Sequence, residues 1–226
     1  MKPTFLRNNP YYTRLLLLSF LCALALLYRV VTTHSIDFTF LLWNLFLAIL
    51  PLVLSKAIRY TPKIHASKPV LYLLLILWVL FLPNSPYIIT DFIHLETGKP
   101  TMWIDLFMLF TFAINGVILG ALSMIDIFHF ITKKYTQKIA NILLFITCYL
   151  GGFGIFIGRF LRFNSWDIIA RPKILFYCLY KCLFLWEAWV WTIGFGSFMW
   201  ISFLVLKPIM RATKKIKTKP YSLPST

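Results

Sequence analysis

Six apolar runs decide what this chain can fold into. They lie at roughly 15–31, 38–58, 70–90, 103–129, 139–160 and 174–206. A hydrocarbon core about 30 Å thick takes about 20 helical residues to cross, a length each run can supply. No soluble segment separates them, and no fixed-period repeat supports an inverted-repeat transporter. The expected fold class is therefore all-α, a polytopic membrane bundle of about six transmembrane helices. Its domains would be a basic cytoplasmic N-terminus (1–14), a six-span region (15–206) and a disordered basic cytoplasmic tail (207–226). Composition agrees: 60% of the residues are hydrophobic and 13% charged, more apolar surface than a soluble domain of this size can hide.

The first run follows Lys2, Arg7 and Arg14, which is also the grammar of a signal peptide, with Ala23 and Ala25 as a cleavage motif. The five runs behind it favour an uncleaved span. The net charge of +16 would suit a nucleic-acid binder if it formed one basic face. Here the cations flank apolar runs instead, so no nucleic-acid partner is expected. Sixteen of the 23 Lys and Arg fall on one side of the six runs and six on the other, with Lys181 inside the last run. By the positive-inside rule both termini are cytoplasmic and the protein sits in the inner membrane. Five of the seven carboxylates (Asp37, Asp91, Glu96, Asp105, Asp167) then lie outside, joined by Glu187 near the outer end of the last run. Only Asp126 lies near the inner surface. Cys22, Cys148, Cys178 and Cys182 sit in apolar stretches without metal or disulfide spacing and read as small packers.

The third run breaks at FLPNSPYIITDFIHLE, residues 81–96. Residues 70–82 alone are too short to cross, Pro83 disfavours helix at Leu82, Asn84 and Ser85 suit N-caps, and Pro86 suits the first position of a new helix. The expectation is a helix over 70–82, a kink at 83–85 and a second helix from 86 to about 96, ended by Gly98. Irregular backbone at this depth survives only against protein or a water-filled cavity. On the second helix Tyr87, Asp91 and His94 share a face, directed into the bundle or its rim. Asp91 and His94 form the candidate acid–base pair. They could also offer two ligands to a metal, but mutual hydrogen bonding is the preferred reading, and no metal or cofactor is assigned. Glu96 joins them only if the helix ends there. Trp43, Asn44 and Pro51 of the second run are expected to pack against the break.

The fifth run ends GGFGIFIGRFLRFNSWD. Gly154/Gly158, like Gly116/Gly120 in the fourth run, form GxxxG pairs that read as tight helix packing. Arg159 and Arg162 face one way and read either as partners of the outer acids or as a clamp for phosphate, whose oxygens match guanidinium bidentately. Asn164, Ser165 and Trp166 read as a turn or cap. Glu187, inside the membrane among tryptophans, expects an arginine partner. Asp105 opens the fourth run and favours a helix N-terminus.

The stretches WNLFLAILP (43–51), FLPNSPYIITDFIHL (81–95) and GRFLRFNSWD (158–167) resemble the bacterial membrane-protein family called domain of unknown function 1361, from the second run through the fifth. In that family alanine is more usual before Pro86, so Ser85 departs from the pattern. The resemblance implies a membrane protein and passes on no residue role.

The functional expectation is an outward-facing polar pocket in the lipid bilayer. Arg159 and Arg162 would hold an anionic lipid headgroup or lipid-linked phosphate. Asp91 and His94 would act on or orient it, with Tyr87, Asn84, Asp167 and Glu187 around them; a catalytic version would transfer or hydrolyse at that headgroup. The rival is a scaffold whose outer charges only lock the bundle. A small transporter ranks last, because beyond Asn115, Ser123 and Asp126 the inner half offers few polar residues.

Overall fold

In the computed structural model, which describes residues 10–163 and 167–218, every regular element among the described residues is helical. In chain order they are α1 (Pro10–Thr33), α2 (Phe40–Tyr60), α3 (Pro62–Ala66), α4 (Lys68–Phe81), α5 (Asn84–Tyr87), a 3₁₀ segment (Ile88–His94), α6 (Met102–Ile131), α7 (Gln137–Phe160), α8 (Asp167–Ala170), α9 (Pro172–Cys182) and α10 (Trp186–Thr218). Prolines start several of them: Pro62, Pro69 and Pro172 occupy first or second helical positions, where the missing N–H has no intrahelical partner to lose. Six stretches are long and apolar enough to span: 14–33, 40–60, 68–94, 102–131, 137–160 and 186–210. The chain is a multi-pass membrane protein.

The central helix is α6. It packs on α1, α2, α5, the 3₁₀ segment, α7 and α10, and it buries 61% of its most apolar stretch against 22% for α1 and for the last span. Lipid is as apolar as these side chains, so close packing and buried polar contacts hold such helices together. The glycines show how close the packing is. A Cβ at Gly152 of α7 would lie 2.5 Å from the Thr192 carbonyl oxygen of α10 and 2.8 Å from the Gly196 amide.

The two GxxxG pairs converge on the break in the third span. A Cβ at Gly116 would overlap the Ser85 carbonyl, and one at Gly120 would come within 2.8 Å of the Ser85 Cβ. From the other side, Gly154 would meet Pro83 Cγ at 2.9 Å and Gly158 would meet Tyr87 at 3.2 Å. The Ser85 hydroxyl donates to the Ala48 carbonyl of α2 at 3.1 Å. The PNSPY turn is thus gripped by α2, α6 and α7.

Five expectations need correction. The break is shallower than expected: Leu82 (φ −54°, ψ −39°) and Pro83 (φ −58°, ψ −28°) stay right-handed helical. The Ser85 amide reaches the Leu82 carbonyl, and Asn84 donates its side-chain amide to the Phe81 carbonyl. Neither Asn84 nor Ser85 caps a helix; one satisfies a carbonyl left by the break and the other ties the turn to α2. Beyond Tyr87 the chain winds as a 3₁₀ helix, not an α-helix. The sixth run, expected as one helix, is divided by a turn at 183–185 into α9 and α10, which puts Lys181 on a short helix outside the span. Finally, α10 continues through Thr218, so residues 207–218 of the expected disordered tail are helical. Asn164, Ser165 and Trp166, the first nine residues and residues 219–226 lie outside the described part of the chain.

Candidate functional site

In a 3₁₀ helix residues three apart eclipse, so Ile88, Asp91 and His94 form one row and Tyr87 is rotated away from it. Asp91, on the buried face, is 1% exposed and has a donor on each oxygen. Asn44 Nδ2 of α2 donates to Oδ2 at 2.7 Å, and Arg159 Nη1 at the end of α7 approaches Oδ1 at 3.4 Å. The other Arg159 nitrogen, Nη2, lies 3.4 Å from His94 Nε2. A guanidinium can only donate, so that imidazole nitrogen is the acceptor. Phe40 supports the His94 ring edge-on at 5.2 Å. One arginine therefore bridges both candidate acid–base residues. Among the described residues no three His, Cys, Asp or Glu side chains converge.

Two cavities flank this charged set. An apolar one of about 470 Å³ lies against the break, walled by Trp43 and Asn44 of α2, Asn84 and Tyr87 of α5, and Leu150 and Gly158 of α7. Ile168, Leu175 and Leu179 of α8 and α9 close it on another side. Asn44 is the link: it lines this cavity and donates to Asp91. A polar cavity of about 430 Å³ has His94 in its wall, with Arg29, Ser35, Thr101, Asp105 and Phe38. The route from one cavity to the other runs Asn44, Asp91, Arg159, His94.

The other expected residues scatter. Arg162 lies past the end of α7 at Phe160, exposed and in a left-handed conformation (φ 55°). Asp167 is buried, and its Oδ1 accepts from Arg171 at 2.9 and 3.1 Å. Glu187 is exposed in the first turn of α10 with no arginine partner among the described residues, a place where a carboxylate complements the helix dipole. Glu96 is exposed and pairs with Lys99. Asn84 and Tyr87 line the apolar cavity, as just described.

Two charge sets are not evident from the spacing of residues along the chain. Arg29, 5% exposed, donates Nε to Asp105 at 3.0 Å and Nη1 to the Ser35 carbonyl at 3.1 Å, with its guanidinium 4.6 Å from the Phe38 ring centre. Asp105 is thus an ion-pair partner joining α1 to α6, beyond any helix-end role. At the opposite end of the bundle, Lys56 and Arg59 of α2 both reach the buried Asp126 of α6, Lys56 at 2.7 Å. The available signal is a charge standing inside an apolar run, as Arg29 and Asp126 do.

The charged set at the break falls inside one sequence match. Residues 43–202 match a family model described as a protein of unknown function (DUF1361). The chain belongs to this family. No curated protein and no solved structure matches it. The DUF1361 match takes in Asn44, the break, Asp91, His94, Arg159 and α9, and it runs into α10, one span further than the resembling stretches. Arg29 and the rest of α1 lie outside it.

Proposed function

We propose that this DUF1361 protein binds an amphiphile with an anionic headgroup, its apolar chain in the cavity beside the break and its headgroup at Arg159. The carrying observation is the contiguity of an apolar cavity, through Asn44, with the Asp91–Arg159–His94 set. Arg159 meets each of its two partners at 3.4 Å, longer than the 2.7–2.9 Å typical of a tight charge-assisted bond, which leaves donor capacity for phosphate oxygens. Arg162 adds a second cation just past the end of α7. Asp91 and His94 hold Arg159 in place; in a catalytic version they would supply the acid and base at the headgroup. Asp167 and Glu187 take no part. The charge asymmetry of the loops supports an inner-membrane location with the site facing outward and both termini in the cytoplasm.

Native mass spectrometry of gently solubilised protein tests this. Wild type should carry a lipid-sized adduct that is reduced in Leu150→Trp, which fills the cavity at the wild-type melting temperature, and in Arg159→Gln, which stays folded at a lowered one because Asp91 loses its cation. A bare wild-type mass would sink the reading. One observation favours a second reading, a locked scaffold: the charges already neutralise one another between helices. Under that reading Asp91→Arg combined with Arg159→Asp restores protein level and phenotype, whereas a headgroup site stays dead in the swap.

A further inference from the structure

At 11 residues, α9 is about 16 Å long at 1.5 Å per residue, roughly half of what crossing requires. It divides into three stripes. Leu175, Cys178, Leu179 and Cys182, at helical spacings of three and four, face the protein; Leu175 and Cys182 are buried, and Leu175 and Leu179 close the apolar cavity. Lys173, Tyr177 and Lys181, four apart, form the opposite ridge, with Lys181 Nζ 4.5 Å from the Tyr177 ring centre. Between these, Phe176 and Tyr180, with Phe184 of the turn that follows, form an aromatic edge. They are 61%, 63% and 74% exposed, and the Tyr180 and Phe184 rings meet edge-on at 5.3 Å.

We propose that α9 is an interfacial helix whose partner is the bilayer surface. The aromatic edge sinks to the boundary between headgroups and acyl chains, while the lysine ridge lies among lipid phosphates. Three observations single out lipid as the occupant. The segment from 168 to 186 carries no carboxylate; Arg171 is taken by Asp167, which leaves Lys173 and Lys181 to complement phosphate. The edge continues a belt of exposed Trp43, Trp103 and Trp186 at the same end of the spans, the level at which aromatic rings collect in membranes. The stripe of Leu175, Cys178, Leu179 and Cys182 is already committed to the protein, so the helix is held along the surface. None of this depends on what fills the cavity beneath.

The test places benzoylphenylalanine singly at Phe176, Tyr180, Lys173 and Lys181 of the full chain, in vesicles of phosphatidylglycerol and phosphatidylcholine. After irradiation the cross-linked mass is read. Positions 176 and 180 should give phospholipid adducts several-fold above those at 173 and 181. These are exposed sites whose replacement leaves the bundle intact, which a retained melting temperature checks. Cross-links to a second copy of the chain would overturn the proposal, and so would adducts equal at all four positions or absent from 176 and 180.

Discussion

Asp126 and Asp91 are both buried carboxylates, yet removing what surrounds them has different consequences. Asp126 faces two cations, Lys56 and Arg59. Asp126→Leu strips both of their carboxylate, and leaving buried charge uncompensated costs about 3–5 kcal/mol. Asn44→Ala removes one hydrogen bond to Asp91 while Arg159 remains, which costs about 1–3 kcal/mol. Unfolding of the detergent-solubilised variants should therefore rank Asp126→Leu well below Asn44→Ala, and the reverse order would mean that the Asp126 set contributes little. At this scale the sequence was partly legible. Asp91, His94 and Arg159 stood out because polar residues clustered on otherwise apolar helices have to face protein. The pairing of Arg29 with Asp105, 76 residues away, and of Arg59 with Asp126, 67 away, could not be seen. Local spacing says nothing about which distant helix comes alongside.

The break between α4 and the 3₁₀ segment is held by glycines on two neighbouring helices, and those glycines differ in what they can tolerate. Gly116→Ala would drive a methyl group into the Ser85 carbonyl, and overpacking of this sort costs about 1–3 kcal/mol or more. Gly194→Ala meets nothing within 4 Å and should be neutral or stabilising by up to about 1 kcal/mol, the helix preference of alanine over glycine. A thermal-shift comparison of the two checks this; equal losses would mean that the grip on the turn is unimportant. The existence of a break was readable from Pro83 and Pro86. Its geometry was not, because neighbouring helices and the Asn84 and Ser85 side chains satisfy the groups that the prolines leave unpaired. The division of the sixth run was likewise hidden: Leu, Phe, Tyr and Cys serve a short helix on the bundle as well as they serve a span.

Three sets of ion pairs among the described residues join helices that are not neighbours in sequence: α1 to α6 through Arg29 and Asp105, the 3₁₀ segment to α7 through Asp91 and Arg159, and α2 to α6 through Lys56, Arg59 and Asp126. Since α1 is peripheral, Arg29→Gln should raise amide exchange in α1 while leaving the α7–α10 pair protected; exchange rising equally in both would show that the bundle opens as one unit. The six-span outline was legible because bilayer thickness fixes helix length, whereas the order of packing around α6 rests on contacts between distant segments. The Arg29–Asp105 pair also bears on biogenesis. A ribosome completes Asp105 only after 75 further residues have followed Arg29, so until then the arginine has only the exposed Asp37, 3.8 Å away in the finished fold, and must keep its guanidinium near the headgroups. Spans one to three are then an unfinished intermediate, and insertion of the fourth is the step that lets the first settle against the bundle.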